Sequence, residues 1–200
     1  RGMYWDRFKN RIMFPIHNHF GKVVGFTGRV LPGQESADVG KYVNSPETPI
    51  FNKSKLLFGF WKTKAAIREA QTAVLVEGQM DFLMTYQDGV ANVAASSGTA
   101  LTADHLQVLR RVADNLVLSF DNDAAGKMAA ERSIDDASQL DFGVKVLQLD
   151  GEEAKDPADI ALARPGHLRE LVAASIPAME YYFKFYGVSQ SGEIGAKKKA

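Results

Sequence analysis

Two aspartates one residue apart, Asp121 and Asp123, stand directly after the apolar stretch 117–120 and directly before the small-residue-rich segment 124–130. The pattern is repeated elsewhere in the chain. Glu77 followed by Gly78 closes the apolar run 73–76, and the segment KDPAD at 155–159, with Asp156 and Asp159, lies shortly after a fourth apolar run at 143–149. Taken one at a time, each acid has an ordinary structural explanation: Glu77 can pair with a surface lysine, Asp123 can cap the helix that follows it, and DPAD is common turn chemistry. Gathered on one edge, the same acids repel one another unless a cation sits among them. Oxygen ligands of this hardness select magnesium or manganese over zinc or copper. Magnesium keeps some of its waters and binds through a few carboxylates together with substrate phosphates, so the chemistry indicated is phosphoryl or nucleotidyl transfer.

The elements that must carry these acids follow from the hydrophobic pattern. Residues 73–78, 90–96, 116–121 and 143–149 read as buried strands. Residues 79–89, 102–115 and 124–140 read as the helices between them, with Thr102 as an N-cap, Asp104 in the first turn and Gly89 as a stop. Strand and helix in strict alternation imply an α/β fold with a parallel sheet covered by helices. Ligands of such sheets bind beyond the carboxyl ends of the strands, where all three acidic groups fall. Gly126 permits a close backbone approach near the start of the third helix.

The first part of the chain has a different texture. Residues 12–16, a turn at 18–21 and residues 22–31 read as a β-hairpin, 32–41 as a polar loop, and 41–59, with two prolines, as an extended irregular segment. Residues 165–186 read as helical, with Pro177 at a helix start. The expected organisation is a basic mixed α+β part at 1–70, an α/β catalytic part at 71–160 and the beginning of a helical part at 161–200.

Composition narrows the admissible functions. The 200 residues are 46% hydrophobic and 24% charged, enough for a real core. Zero cysteines exclude disulfides and thiolate metal sites, and four scattered histidines offer no zinc spacing. There is no apolar run long enough to span a bilayer and no leader pattern, so the expected location is the cytoplasm, with no membrane partner. The formal net charge of zero hides an asymmetry: residues 1–70 carry 12 Lys and Arg against 5 Asp and Glu, and the remainder carries the opposite excess of seven acids. Such blocks are either solvated surface or a polyanion-binding face beside an acidic metal site.

Read in order, VLVEGQMD, SSGTALTADHL, LSFDNDAAGKMAA and KDPAD resemble the Toprim fold shared by bacterial primases, topoisomerases and certain nucleases. Together with RFKNRIMFPI, GKVVGFTGRVL and KYVNSPETPIFNKSKLLFG, they resemble the RNA polymerase domain of the DnaG-type bacterial primases, over residues of about 4 to 186. The resemblance implies DNA-templated synthesis of short RNA primers from ribonucleoside triphosphates during replication, with one to three Mg²⁺ or Mn²⁺ ions. It implies Glu77 as a metal ligand or acid/base, Asp121 and Asp123 as metal ligands, and Asp81, Asp156 and Asp159 as further acids near the metal. Arg7, Arg11, Arg29, Lys41, Asn44, Lys53 and Lys55 then lie on the segments that line the template groove and receive the triphosphate. The interleaved Tyr42 and Phe51 are expected in the core rather than on a base.

The sequence departs from the family where Gln79 replaces a common aromatic and Asn122 a common glycine. Ala158 between Pro157 and Asp159 leaves open whether Asp156 or Asp159 faces the metal. The implied partners are a single-stranded DNA template, ribonucleoside triphosphates, the RNA primer and, through a C-terminal domain expected outside this chain, the replicative helicase. Zinc is expected only in a separate domain, so the chain is expected to be a fragment placed at the replication fork of the nucleoid. A Toprim-type nuclease or topoisomerase, or a catalytically silent single-stranded DNA-binding module, is the alternative.

Overall fold

The computed structural model describes residues 3–36, 39–121, 123–149 and 156–185. Asn122, Lys155 and the stretch beyond 185 therefore lie outside the described residues. The first sheet is antiparallel, in the order β1 (Arg11–His17), β2 (Val23–Val30) and β3 (Tyr42–Asn44). The expected hairpin is present: Asn18 closes it by accepting the N–H groups of Phe20 and Lys22 on its side chain. The irregular segment holds a 3-10 turn at Lys53–Lys55, with Asn52 as its side-chain cap.

Helix α1 (Phe60–Ala70), which the hydrophobic pattern does not announce, then begins after Gly59 at φ +78. Its buried positions are Phe60, Thr63 and Ile67. They lie at helical spacing, but the middle one is a hydroxyl residue and only two are apolar, so the periodic signal is thin.

The second sheet contains β4 (Thr72–Val76), β5 (Val93–Ala95), β6 (Asn115–Leu118), β7 (Gly143–Val146) and β8 (Ile176–Pro177), in the order β5-β4-β6-β7-β8. The first four are parallel, as the alternation requires. The two-residue β8 pairs antiparallel with β7, so Pro177 sits in an edge strand immediately before a helix. Intervening helices are α2 (Gln79–Gln87), α3 (Ala103–Arg110), α4 (Ala124–Ser138), α5 (Pro157–Ala163), α6 (His167–Ala173) and α7 (Ala178–Phe185).

Side chains of β4 alternate between two cores. Ala73 and Leu75 pack with Leu106, Leu109 and Ile134 on one face, whereas Val74 and Val76 pack with Phe82, Ile160, Leu168 and Phe51 on the other. Burying each large aliphatic side chain contributes ~1.5–3 kcal/mol, which makes this central strand a rigid support for whatever follows it. Among the described residues no helix is long and apolar enough to cross a membrane.

Candidate functional site

Glu77 is the first residue past β4, and its backbone carbonyl accepts N–H groups from Ser97 (2.9 Å) and Gly98 (3.2 Å), which follow β5. Its Oε1 accepts the N–H of Asp121 at 3.2 Å, joining the ends of β4 and β6. Asp121 is held again from its far side: a Cβ built on Gly126 would lie 2.1 Å from the Asp121 carbonyl oxygen, so only glycine lets α4 start this close. Asp81 lies in the first turn of α2 and accepts the N–H of Gly78 at 2.9 Å.

Asp123 and Asp156 cap α4 and α5 through the N–H groups of Gly126 (2.7 Å) and Asp159 (2.8 Å). The capping explanation of Asp123 thus holds alongside its proximity to Asp121. Among the described residues none of these six acids is in an ion pair.

Two adjoining cavities open on this edge. One of about 350 Å³ is lined by Tyr42, Asn44, Lys53, Glu77, Ser97 and Asp121, with Gly78, Gln79, Asp81 and Gly98 completing it. The other, of about 530 Å³, brings Arg29, Lys41 and Tyr42 of the basic part against Asp81, Asp121, Asp156 and Asp159. Acids and bases face each other across the clefts, so the charge asymmetry of the sequence is realised in space.

Not every expected base lines these clefts. Arg7 gives its Nε–H to the Asn44 carbonyl (2.8 Å), and Arg11 donates to the carbonyls of Gly28 (3.0 Å) and Lys41 (3.4 Å), bracing the antiparallel sheet. Lys55 is exposed away from both cavities. Phe51 is core as expected, but Tyr42 is half-buried on the wall of both cavities, with Arg29 over its ring. The sequence signal for that placement is weak, because a lone tyrosine between polar neighbours reads equally as packing.

Gln79 and Ser97, whose side chains bond to each other, are also wall residues, and Ser97 holds a positive φ of 64°. The Ser-Ser-Gly turn was the available signal for this strained corner.

The electrostatics follow from the crowding. Burial first, then the charges of Glu77, Asp81, Asp156 and Asp123, push the Asp121 carboxyl up to about 7. Burial and Asp156 push Asp81 up to about 6, against the opposing Gly78 N–H and Lys41. Carboxyls raised above their unfolded value make the metal-free fold bind protons more tightly than the unfolded chain does. Their destabilising contribution is complete above about pH 7 and is relieved as pH falls toward 4.

The melting temperature of metal-free wild type minus that of Asp121→Asn is therefore expected to become more negative from pH 5 to pH 8, and millimolar Mg²⁺ is expected to flatten that slope. Thermal melts across pH with and without Mg²⁺ test this. A difference independent of pH would mean that Asp121 carries no raised carboxyl.

The donor set fits a hard divalent cation. It is all oxygen, it lacks ion-pair compensation, and the adjoining wall bears the buried Asn44 Oδ1, which has no hydrogen-bond partner among the described residues. Among those residues no three acids or histidines close a ligand cage. That suits an ion completed by water and substrate phosphate.

Fold and site together define a class: a parallel α/β domain with carboxylates at its strand ends, faced by a basic antiparallel sheet. Two family models match, the N-terminal domain of the DNA primase catalytic core over residues 1–64 and a Toprim-like domain over residues 74–161. The chain is 41% identical over 186 residues to the DNA primase of Neisseria meningitidis, covering 92% of this chain and 31% of that protein. It superposes on the zinc-binding and RNA polymerase domains of the Aquifex aeolicus primase with a TM-score of 0.82 at 32% identity, covering 92% of this chain and 45% of that one. A DnaG primase catalytic domain bound to single-stranded DNA gives a TM-score of 0.78 at 34% identity, covering 94% and 59%. The chain belongs to the family of bacterial DNA primase catalytic cores. It spans about a third of the length of the curated relatives it matches.

Proposed function

We propose that this chain is the catalytic core of a primase, joining ribonucleoside triphosphates into a short RNA primer on a single-stranded DNA template. The observation that carries the reading is the meeting of Arg29, Lys41 and Lys53 with Glu77, Asp81 and Asp121 across two contiguous cavities. The bond formed is between a 3′-hydroxyl oxygen and the α-phosphorus of the incoming nucleotide. The bond broken releases pyrophosphate, and the hydroxyl proton leaves to solvent.

Glu77, Asp121 and Asp123 are the carboxylates that would hold Mg²⁺ or Mn²⁺; Asp81, Asp156 and Asp159 line the same cleft as Asp121, whereas Asp123 caps α4 and lines neither cavity. The chemistry such an ion supplies when bound is neutralisation of charge on the attacking and leaving oxygens. Lys41, Lys53 and Arg29 receive the triphosphate oxygens, and the Arg29 guanidinium is positioned by Tyr42, lying over its ring and donating to its hydroxyl. Asn44 lines the cavity beside Lys53, where it can shape the nucleotide site. Arg7, Arg11 and Lys55 serve the template side, through the shape of the sheet in the first two cases and by open charge in the third. In this reading residues 1–70 bind polyanion, 71–160 carry the reaction, and 161–200 begin the part that leads toward the helicase. The single-stranded DNA held by the relative described above supports the template assignment. A replication protein of this kind works in the cytoplasm, at the nucleoid.

A template-directed assay with labelled ribonucleotides on single-stranded DNA, run on this chain and on the full-length protein containing it, tests the reading. Mg²⁺-dependent incorporation that follows the template is the expected result. DNA scission without incorporation would place the chain among the Toprim nucleases instead, and binding without either reaction would leave only a DNA-binding module.

A further inference from the structure

His105, in the first turn of α3, is fully buried and plays no part in the chemistry above. Its Nδ1 accepts the N–H of Thr102 at 3.3 Å, and its Nε2 lies 3.1 Å from the carbonyl oxygen of Lys53. A carbonyl only accepts and an N–H only donates, so the two contacts assign one ring form: neutral, with its proton on Nε2. Thr102 completes the junction. Its hydroxyl donates to the Ser54 carbonyl at 2.6 Å and accepts the N–H of His105 at 3.1 Å. The Lys53–Lys55 turn is only three residues long and has little internal stability, so these two carbonyl ties fix its position against α3. Lys53 in turn lines the cavity shared by Glu77 and Asp121.

We propose that His105, with Thr102, is a positioning residue for nucleotide binding: it ties the Lys53 backbone to the N-terminus of α3 and so holds the Lys53 ammonium at the acidic cavity. This rests on the reading of that cavity as the triphosphate site. The Lys53 contact uses Nε2–H, and only a neutral Nδ1 can accept the Thr102 N–H, so the neutral ring makes both contacts. Burial holds the imidazole below its ordinary value, opposed by the hydrogen bond to Lys53 and by Asp104 on the same helix. Lys53 is the cation on the turn packed against the ring. The ring therefore stays neutral at neutral pH, with both contacts made.

The test compares His105→Leu, His105→Gln, Thr102→Val and Lys53→Ala for ribonucleotide KM and kcat at neutral pH, with thermal melts on each. His105→Leu removes both ring contacts and is expected to raise KM about fivefold with little change in kcat, the effect of one lost hydrogen bond relayed to one phosphate contact. Glutamine places an acceptor and a donor on one side chain and does not titrate, so His105→Gln is expected to restore the KM. Thr102→Val removes the tie to the Ser54 carbonyl, is expected to raise KM as His105→Leu does, and decides the matter if His105→Leu does not fold. A folded His105→Leu or Thr102→Val protein with wild-type KM, while Lys53→Ala raises KM, overturns the proposal alone. A Lys53→Ala protein with unchanged KM overturns the nucleotide reading on which it rests.

Discussion

Asp121→Asn is expected to lower primer synthesis by about 10³-fold or more while raising the melting temperature of the metal-free protein. The opposite signs follow from one cause. Asp121 lines both cavities and feels four other acids, so its charge is costly in the empty protein and, in the proposed reaction, is needed only when cation and triphosphate arrive. The amide keeps the shape, the Glu77 bond to the backbone N–H and the close approach of Gly126, none of which involves the Asp121 carboxylate. A structural role would make activity and stability fall together. Measuring kcat and the melting curve on the same preparation separates the two, and activity within tenfold of wild type in Asp121→Asn would remove Asp121 from the reaction. The carboxylate edge is thus built at the expense of stability, and the buried strand β4 provides the rigid support that tolerates it.

The α/β part was legible because its strands are fully buried and read as unbroken apolar runs. Val74, Val93 and Leu116 are all inaccessible, and each run ends at a glycine, serine or acid. From that pattern the parallel order follows, and from the parallel order the edge where Glu77 and Asp121 must meet. The antiparallel β8 escaped because two residues, one of them proline, carry no periodicity.

The basic part was legible in sum but not in detail. Charge counting identifies the face, yet it cannot distinguish a guanidinium spent on main-chain carbonyls, as in Arg7 and Arg11, from one left facing a cleft, as in Arg29. The same limit hid His105. A T-x-x-H sequence announces a reciprocal helix cap, but its second tie, to Lys53, spans 52 residues of chain and exists only in the fold.

That distinction between spent and available cations sets the expected result for the phosphate surface. Lys53 lines one of the two adjoining cavities and Lys41 the other, each with acids of the strand ends. A charge-assisted contact to phosphate contributes about 1.5–3 kcal/mol, so Lys41→Ala with Lys53→Ala should raise nucleotide KM by about 10²-fold or more. The acids are untouched, so Mn²⁺ binding at the strand ends, read by electron paramagnetic resonance, should persist.

Affinity for single-stranded DNA falls linearly with log salt at about −0.7 per phosphate neutralised, so any template contacts these lysines make appear as a shallower slope, by up to about 1.4 for the pair. Lys55→Ala, an exposed charge outside both cavities, should change that slope without moving nucleotide KM. Arg11→Ala should act differently again: it frees the carbonyls of Gly28 and Lys41, lowers the melting temperature and shifts KM only through the displaced Lys41. Nucleotide KM, the DNA salt slope and the melting temperature therefore sort the bases into three physical roles. If the double lysine variant leaves both KM and the salt slope at wild-type values, the basic wall is solvated surface, and the triphosphate must enter from another side of Glu77.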